Sequence, residues 1–162
     1  MSVIVRLRDD AAPLKTRLAT VVAGVLLAGL AIPVNAQCSA TALGVDFGGY
    51  DPFSGAAVDS TGTVTVSCDI INTYSIALST GGSGSYTPRT LFNGSYTLDY
   101  NLFVDSALST IWGDGTGGTS TSSGSIGLLL LPNDHTIYGR IPGGQNPAAG
   151  SYSDTITVTV TY

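Results

Sequence analysis

The feature that most constrains this chain is two-residue alternation, repeated in short runs with turns between them. At the C-terminus, "DTITVTVTY" puts Ile156, Val158, Val160 and Tyr162 on one face and threonines on the other. Successive side chains of an extended strand point to opposite sides, so this pattern reads as a half-buried β-strand. "GTVTVSC" sets Val64, Val66 and Cys68 on one face, and "TYSIALS" sets Tyr74, Ile76 and Leu78. "YTLDYNLFV" gives Tyr96, Leu98, Tyr100, Leu102 and Val104, "ALGVDF" gives Leu43, Val45 and Phe47, and "TIYGRI" is a further short strand. "SIGLLLL" is a continuous apolar run, expected as a strand buried on both sides. Helix signals are almost absent, and Asn93-Gly94 between two strand patterns marks a tight hairpin. The glycine-rich stretches "STGGSGSYTP", "GDGTGGTSTSSGS" and "PGGQNPAAG" read as loops. About seven strands at this spacing point to an all-β fold, an antiparallel β-sandwich around one core.

The N-terminal part reads differently. Lys15 and Arg17 precede an apolar stretch over 18–31, followed by "IPVNA" with Val34 and Ala36 at small-residue cleavage positions. This is the pattern of a secretory signal peptide, residues 1–36, with the cut after Ala36; the apolar stretch is short for a membrane span. The folding domain is then 37–162. Its cations are Arg89 and Arg140, set against nine aspartates. Such a surface offers no basic patch to nucleic acid and no polybasic contact to an anionic membrane. Cys38 and Cys68 in an exported chain point to one disulfide, with two free thiols or an intermolecular bond as the alternatives.

No constellation of catalytic residues emerges. His135 is the single histidine, and in "LPNDHTIYG" it reads as an exposed loop residue. No nucleophile elbow precedes a helix. Metal-ligand spacing is absent, and Asp46, Asp51 and Asp114 beside glycines read as turn formers rather than Ca²⁺ ligands. No cofactor or metal is expected. Trp112 is expected in the core; an exposed ligand platform is the other possibility, shared by Tyr50 and Tyr86.

Several stretches then line up in order: Cys38 ahead of "LGVDFGGYDP", then "GTVTVSCD" with Cys68, "YSIALSTG", "RTLFNG", "LDYNLFVD", "IWGDG", "IYGRIPGGQ" and "AGSYSDTITVTVTY". Together they resemble the spore coat protein U domain, a family that includes subunits of archaic chaperone–usher pili. The resemblance implies an immunoglobulin-like, pilin-type sandwich that is incomplete. Its missing strand would come first from a periplasmic pilus chaperone and then, at the usher, from a neighbouring pilin subunit, a form of β-augmentation. On this reading Ile156, Val158, Val160 and Tyr162 border the acceptor groove or the core beneath it. Arg89 and Asp154 recur in the family pattern and are expected to pair. Subunits that polymerise carry a donor strand ahead of the first cysteine. Here only Gln37 precedes Cys38 once the leader is cut, and "LAGLAIPVNAQ" does not alternate. That implies a non-catalytic structural or adhesive surface protein that receives a strand, as a tip or terminal subunit. The alternative from a different class is a self-complete, soluble carbohydrate-binding sandwich.

Overall fold

The computed structural model describes residues 1–10 and 37–162. The apolar stretch and cleavage site expected of a leader lie outside the described residues.

Among the described residues there are nine strands: β1 (Ser2–Asp10), β2 (Cys38–Leu43), β3 (Val58–Cys68), β4 (Asn72–Leu78), β5 (Arg89–Asn93), β6 (Tyr96–Phe103), β7 (Ser122–Ile126), β8 (Asn133–Ile141) and β9 (Ser153–Thr161). Hydrogen bonding runs β2-β3-β8-β6-β5-β9-β4-β7, and β1 pairs with β9 off this path. The start of β6 pairs with β5 while its end pairs with β8, so β6 turns the corner between two layers. Their inner faces supply one core, with Val64, Val66, Ile76, Leu78, Leu91, Leu98, Leu102, Ile137, Ile141 and Trp112 at its centre. The fold is an all-β sandwich, as the alternation implied.

Most of the strand patterns hold. Tyr74, Ile76 and Leu78 are buried, as are Leu98, Tyr100 and Leu102. The Asn93–Tyr96 hairpin turns on Gly94, whose φ of 59° is the left-handed conformation that such turns require. Cys38 and Cys68 sit opposite each other in the β2–β3 ladder and form a disulfide. Trp112 is buried and donates from Nε1 to the Ile76 carbonyl at 2.9 Å.

Three expectations are corrected. Leu43 does not share a face with Val45 and Phe47. β2 points Cys38, Ala40 and Ala42 inward, and the chain changes phase at Gly44, so Leu43 is exposed while Val45 and Phe47 are buried. "SIGLLLL" is not a buried strand: β7 ends at Ile126, and Leu128, Leu129, Leu130 and Leu131 stand exposed in the following loop. An apolar run shows that side chains avoid water in principle, but not that any neighbouring element covers them. The strand instead comes from the serine-rich stretch assigned to a flexible loop, because pairing with β4 supplies its hydrogen bonds.

Candidate functional site: a strand slot beside β9

β9 is built from the alternating stretch "DTITVTVTY". Ile156, Val158 and Val160 are fully buried, and Tyr162 is half-buried just past the strand end. β4 pairs antiparallel with the second half of β9, Ser75 with Thr161 through Leu78 with Val158, and β5 meets its start at Phe92–Ser153. β1 runs along the entire other edge, in parallel, from Ser2–Ser153 to Asp10–Thr161. Among the described residues, β1 is thus the strand that completes β9.

The opposite flank of β1 is held by residues 45–47. Val3 N–H donates to the Val45 carbonyl at 2.8 Å, and Phe47 N–H donates to the Met1 carbonyl at 2.9 Å. The terminal ammonium of Met1 donates to the Gly48 carbonyl at 2.8 Å. β1 therefore lies in a slot, with β9 as one wall and residues 45–47 as the other. Gly44 lets the walls close, because a Cβ there would collide with the Val3 carbonyl oxygen. A Gly44→Val change should displace the seated strand at a cost of about 2 kcal/mol, read as a lower unfolding midpoint in denaturant.

The slot has a gradient of depth. Val3, Val5 and Leu7 stand at the register positions of Asp154, Ile156 and Val158, all on the inward face. Val3 is 2% exposed, Val5 is half-buried and Leu7 is 41% exposed. Ser2, Ile4, Arg6 and Arg8 face out. The alternation in "SVIVRLR" is a strand signal masked in the sequence by its place ahead of an apolar leader-like stretch, where it also reads as a polar preamble.

Beneath the deep end lies a buried polar cluster. Asp154 accepts from Tyr100 Oη at 2.7 Å and from Gly82 N–H at 2.9 Å. Burial, and then the Asp154 carboxylate, drive the Tyr100 phenol far above its ordinary range, so it remains a donor. Arg89 is fully buried. It donates from Nε and Nη2 to the Ser79 carbonyl, from Nη2 to the Trp112 carbonyl and from Nη1 to Asn101 Oδ1. Burial pulls its pKa down, opposed by Tyr100, Tyr86 and Asp154. The expected Arg89–Asp154 ion pair is not formed: both belong to one cluster, yet each spends its hydrogen bonds on other partners. Tyr86 lies under the guanidinium, 5.0 Å from ring centroid to Cζ, and its hydroxyl donates to the Leu78 carbonyl. Tyr50 donates to the Pro142 carbonyl and accepts from Gln145 N–H. With Trp112 buried, the three aromatics considered as ligand platforms all brace the frame.

His135 is likewise no loop residue. It lies in β8, half-buried, with Nε2 2.8 Å from Tyr74 Oη and Nδ1 2.8 Å from Ser122 Oγ. Both nitrogens meet hydroxyls rather than a carboxylate, so no proton relay is assembled. Burial lowers its pKa below the ordinary 6.5, against the opposing charge of Asp134. Between that lowered value and 6.5 the unfolded chain holds a proton that the folded chain does not. Stability should therefore fall as pH drops below 6.5 and flatten past the folded pKa. An NMR titration should find His135 below 6.5, and His135→Gln should remove this pH dependence. Asp46, Asp51 and Asp114 each accept a backbone N–H two residues ahead, from Gly48, Phe53 and Thr116. That is turn capping, as their sequence setting suggested. Among the described residues no cluster of three or more metal-ligating side chains forms.

The family model for the Spore Coat Protein U domain matches residues 25–159. The chain belongs to that family. Among relatives of this Spore Coat Protein U domain, Protein U of Myxococcus xanthus is 35% identical over 131 residues, covering 73% of this chain and 71% of that protein. The fold is also that of a chain in the crystal structure of the CsuC–CsuE chaperone–tip adhesion subunit pre-assembly complex from the archaic chaperone–usher Csu pili of Acinetobacter baumannii. The TM-score is 0.55 at 19% identity, over 80% of this chain and 40% of that one. Ser2–Asp10, the strand in the slot, lies outside the Spore Coat Protein U domain match.

Proposed function

We propose that this Spore Coat Protein U domain is a non-catalytic, strand-accepting subunit of a surface assembly, a pilus-like fibre or a spore-coat-like layer. One observation carries the reading. β9 is completed on one edge by a segment that lies outside the family match and far from the domain in sequence. Residues 1–36 act as a signal peptide, and cutting after Ala36 removes the segment and leaves the slot open. A periplasmic chaperone then supplies the strand, and a neighbouring subunit replaces it during assembly at an usher. The slot's chemistry fits that role, since an unpaired edge above an apolar floor is an aggregation hazard unless another chain covers it. The CsuC–CsuE complex pairs a tip subunit with its chaperone, and the shared fold makes the same arrangement reasonable here. A terminal position follows from the lack of an alternating segment between Ala36 and Cys38.

The test is periplasmic expression, alone and with a chaperone encoded in the same genome, followed by mass spectrometry of the N-terminus. Expected are a terminus at Gln37, aggregation alone, and a soluble one-to-one complex with the chaperone. A monomer of 37–162 that is made without any partner, matches the full chain in stability and does not aggregate would overturn the reading and favour a self-complete sugar-binding module.

A further inference from the structure

Six large apolar side chains stand exposed at one end of the sandwich. Ile70 and Ile71 occupy the β3–β4 turn, and Leu128, Leu129, Leu130 and Leu131 the β7–β8 loop. The ladder registers Asn72–Ile126 and Val66–Asn133 bring both segments to the same end. Leu128 and Leu129 are 86% and 81% exposed. A cluster of exposed apolar side chains at one end of a domain is the kind of surface that marks an interaction site. The backbone adds an independent sign. Leu130 adopts φ 51°, the left-handed conformation that side chains other than glycine and asparagine resist, and its N–H closes a turn onto the Gly127 carbonyl at 3.0 Å. The loop thus holds a strained leucine among leucines that stand outside the core, a combination typical of functional rather than structural segments.

The slot indicates what covers this end. β1 runs parallel to β9 and leaves beside Thr161. Thr161 itself pairs with Ser75, three residues from the start of β4 at Asn72, so the strand heads toward the Ile70 and Ile71 turn. A polypeptide that donates its strand in this direction, with its folded body C-terminal to the strand, carries that body onto the apolar end. Charge agrees: Asp69 and Asp134 flank the two loops and are exposed, while Arg89 is buried and Arg140 is bound to Asp59 at 2.6 Å. We propose that the folded body of the strand-donating partner seats on Ile70, Ile71 and the four leucines, through an apolar face with a cationic rim. The partner would then grip the domain twice, by its strand and by its body. This inference rests on the strand-accepting reading above.

The experiment places a photo-crosslinking amino acid at Thr155, Leu129 or Phe53 of the full chain, expressed in the cells that make it. Thr155 faces outward on β9 beside the slot. Phe53 is exposed beside a cleft of about 620 Å³ at the opposite end, next to Met1. The expected result is one polypeptide, identified by mass spectrometry, captured from Thr155 and from Leu129 but not from Phe53. Capture from Thr155 and Phe53 without Leu129 would overturn this inference and leave the strand-accepting reading intact, with the strand running the other way. No capture from Thr155 would overturn both. A Leu128→Asp, Leu129→Asp double variant, exposed and so neutral to folding, should cut capture from Thr155 about tenfold. Unchanged capture in that variant would also overturn the inference.

Discussion

A chain truncated to residues 37–162 should unfold roughly 10 °C below the full chain, and added peptide SVIVRLRDD should restore most of the difference. The size follows from what β1 contributes. Burial of Val3 is worth about 1.5–3 kcal/mol, and the half-buried Val5 adds roughly half as much. The ladder to β9 adds backbone hydrogen bonds, whose net worth is small and largely offset by the entropy of ordering the strand. The result is a loss of about 3 kcal/mol. Truncation also exposes the β9 edge, so light scattering should rise with protein concentration in the truncated chain and not in the full one. A peptide with Val3→Asp should fail to restore the midpoint, because it would place a charge at the deepest point of the slot. Equal midpoints for the two chains would mean that β1 contributes nothing to the fold.

The second large effect concerns Arg89. Replacing it with methionine keeps much of the volume but removes the donors to the Ser79 and Trp112 carbonyls, and one of the two donors to Asn101 Oδ1, which keeps Leu102 N–H. Each buried acceptor left without a partner costs about 1–3 kcal/mol, and the Asp154–Tyr100 hydrogen bond loses a nearby cation. The expected loss is about 3–5 kcal/mol, within the range seen when one member of a buried charged network is removed. Arg89→Lys should recover only part of it. A lysine is a point charge and cannot reach two carbonyls and an amide from one planar group. Denaturant unfolding of the three proteins measures both differences.

The sequence carried the sandwich because alternation is a local property. Each of β3, β4, β6 and β9 shows its inward face within a few residues, and Asn93-Gly94 encodes its hairpin directly. What alternation does not carry is the neighbour. Nothing in "DTITVTVTY" tells which strand lies beside it, and nothing in "GLLLL" tells whether anything covers four leucines. The same limit explains Arg89 and Asp154. Their recurrence marked them as a pair, but their burial and separate partners depend on where β5, β9 and the Gly81–Ser83 3-10 turn meet. His135 reads as exposed beside a turn until β4 and β7 bring Tyr74 and Ser122 against it. Leu43 fails for a different reason: Gly44 shifts the phase of the strand, and glycine in a strand pattern is the signal that could have raised the question. The strand at Ser2–Asp10 was itself legible, since Val3, Val5 and Leu7 alternate with Ser2, Ile4, Arg6 and Arg8. Its position ahead of a leader-like segment gives the same residues a second reading, as the polar start of that leader.

On the proposed function, the edge of β9 facing residues 45–47 accepts a strand from another polypeptide. The most direct measurement is to refold ¹⁵N-labelled 37–162 with unlabelled peptide SVIVRLRDD and map hydrogen exchange residue by residue. The expected result is a one-to-one complex in which amides of β9 and residues 45–47 gain protection, with no gain for the Val3→Asp peptide. Protection of β9 that is already complete without peptide, or peptide binding that leaves β9 unchanged, would contradict it.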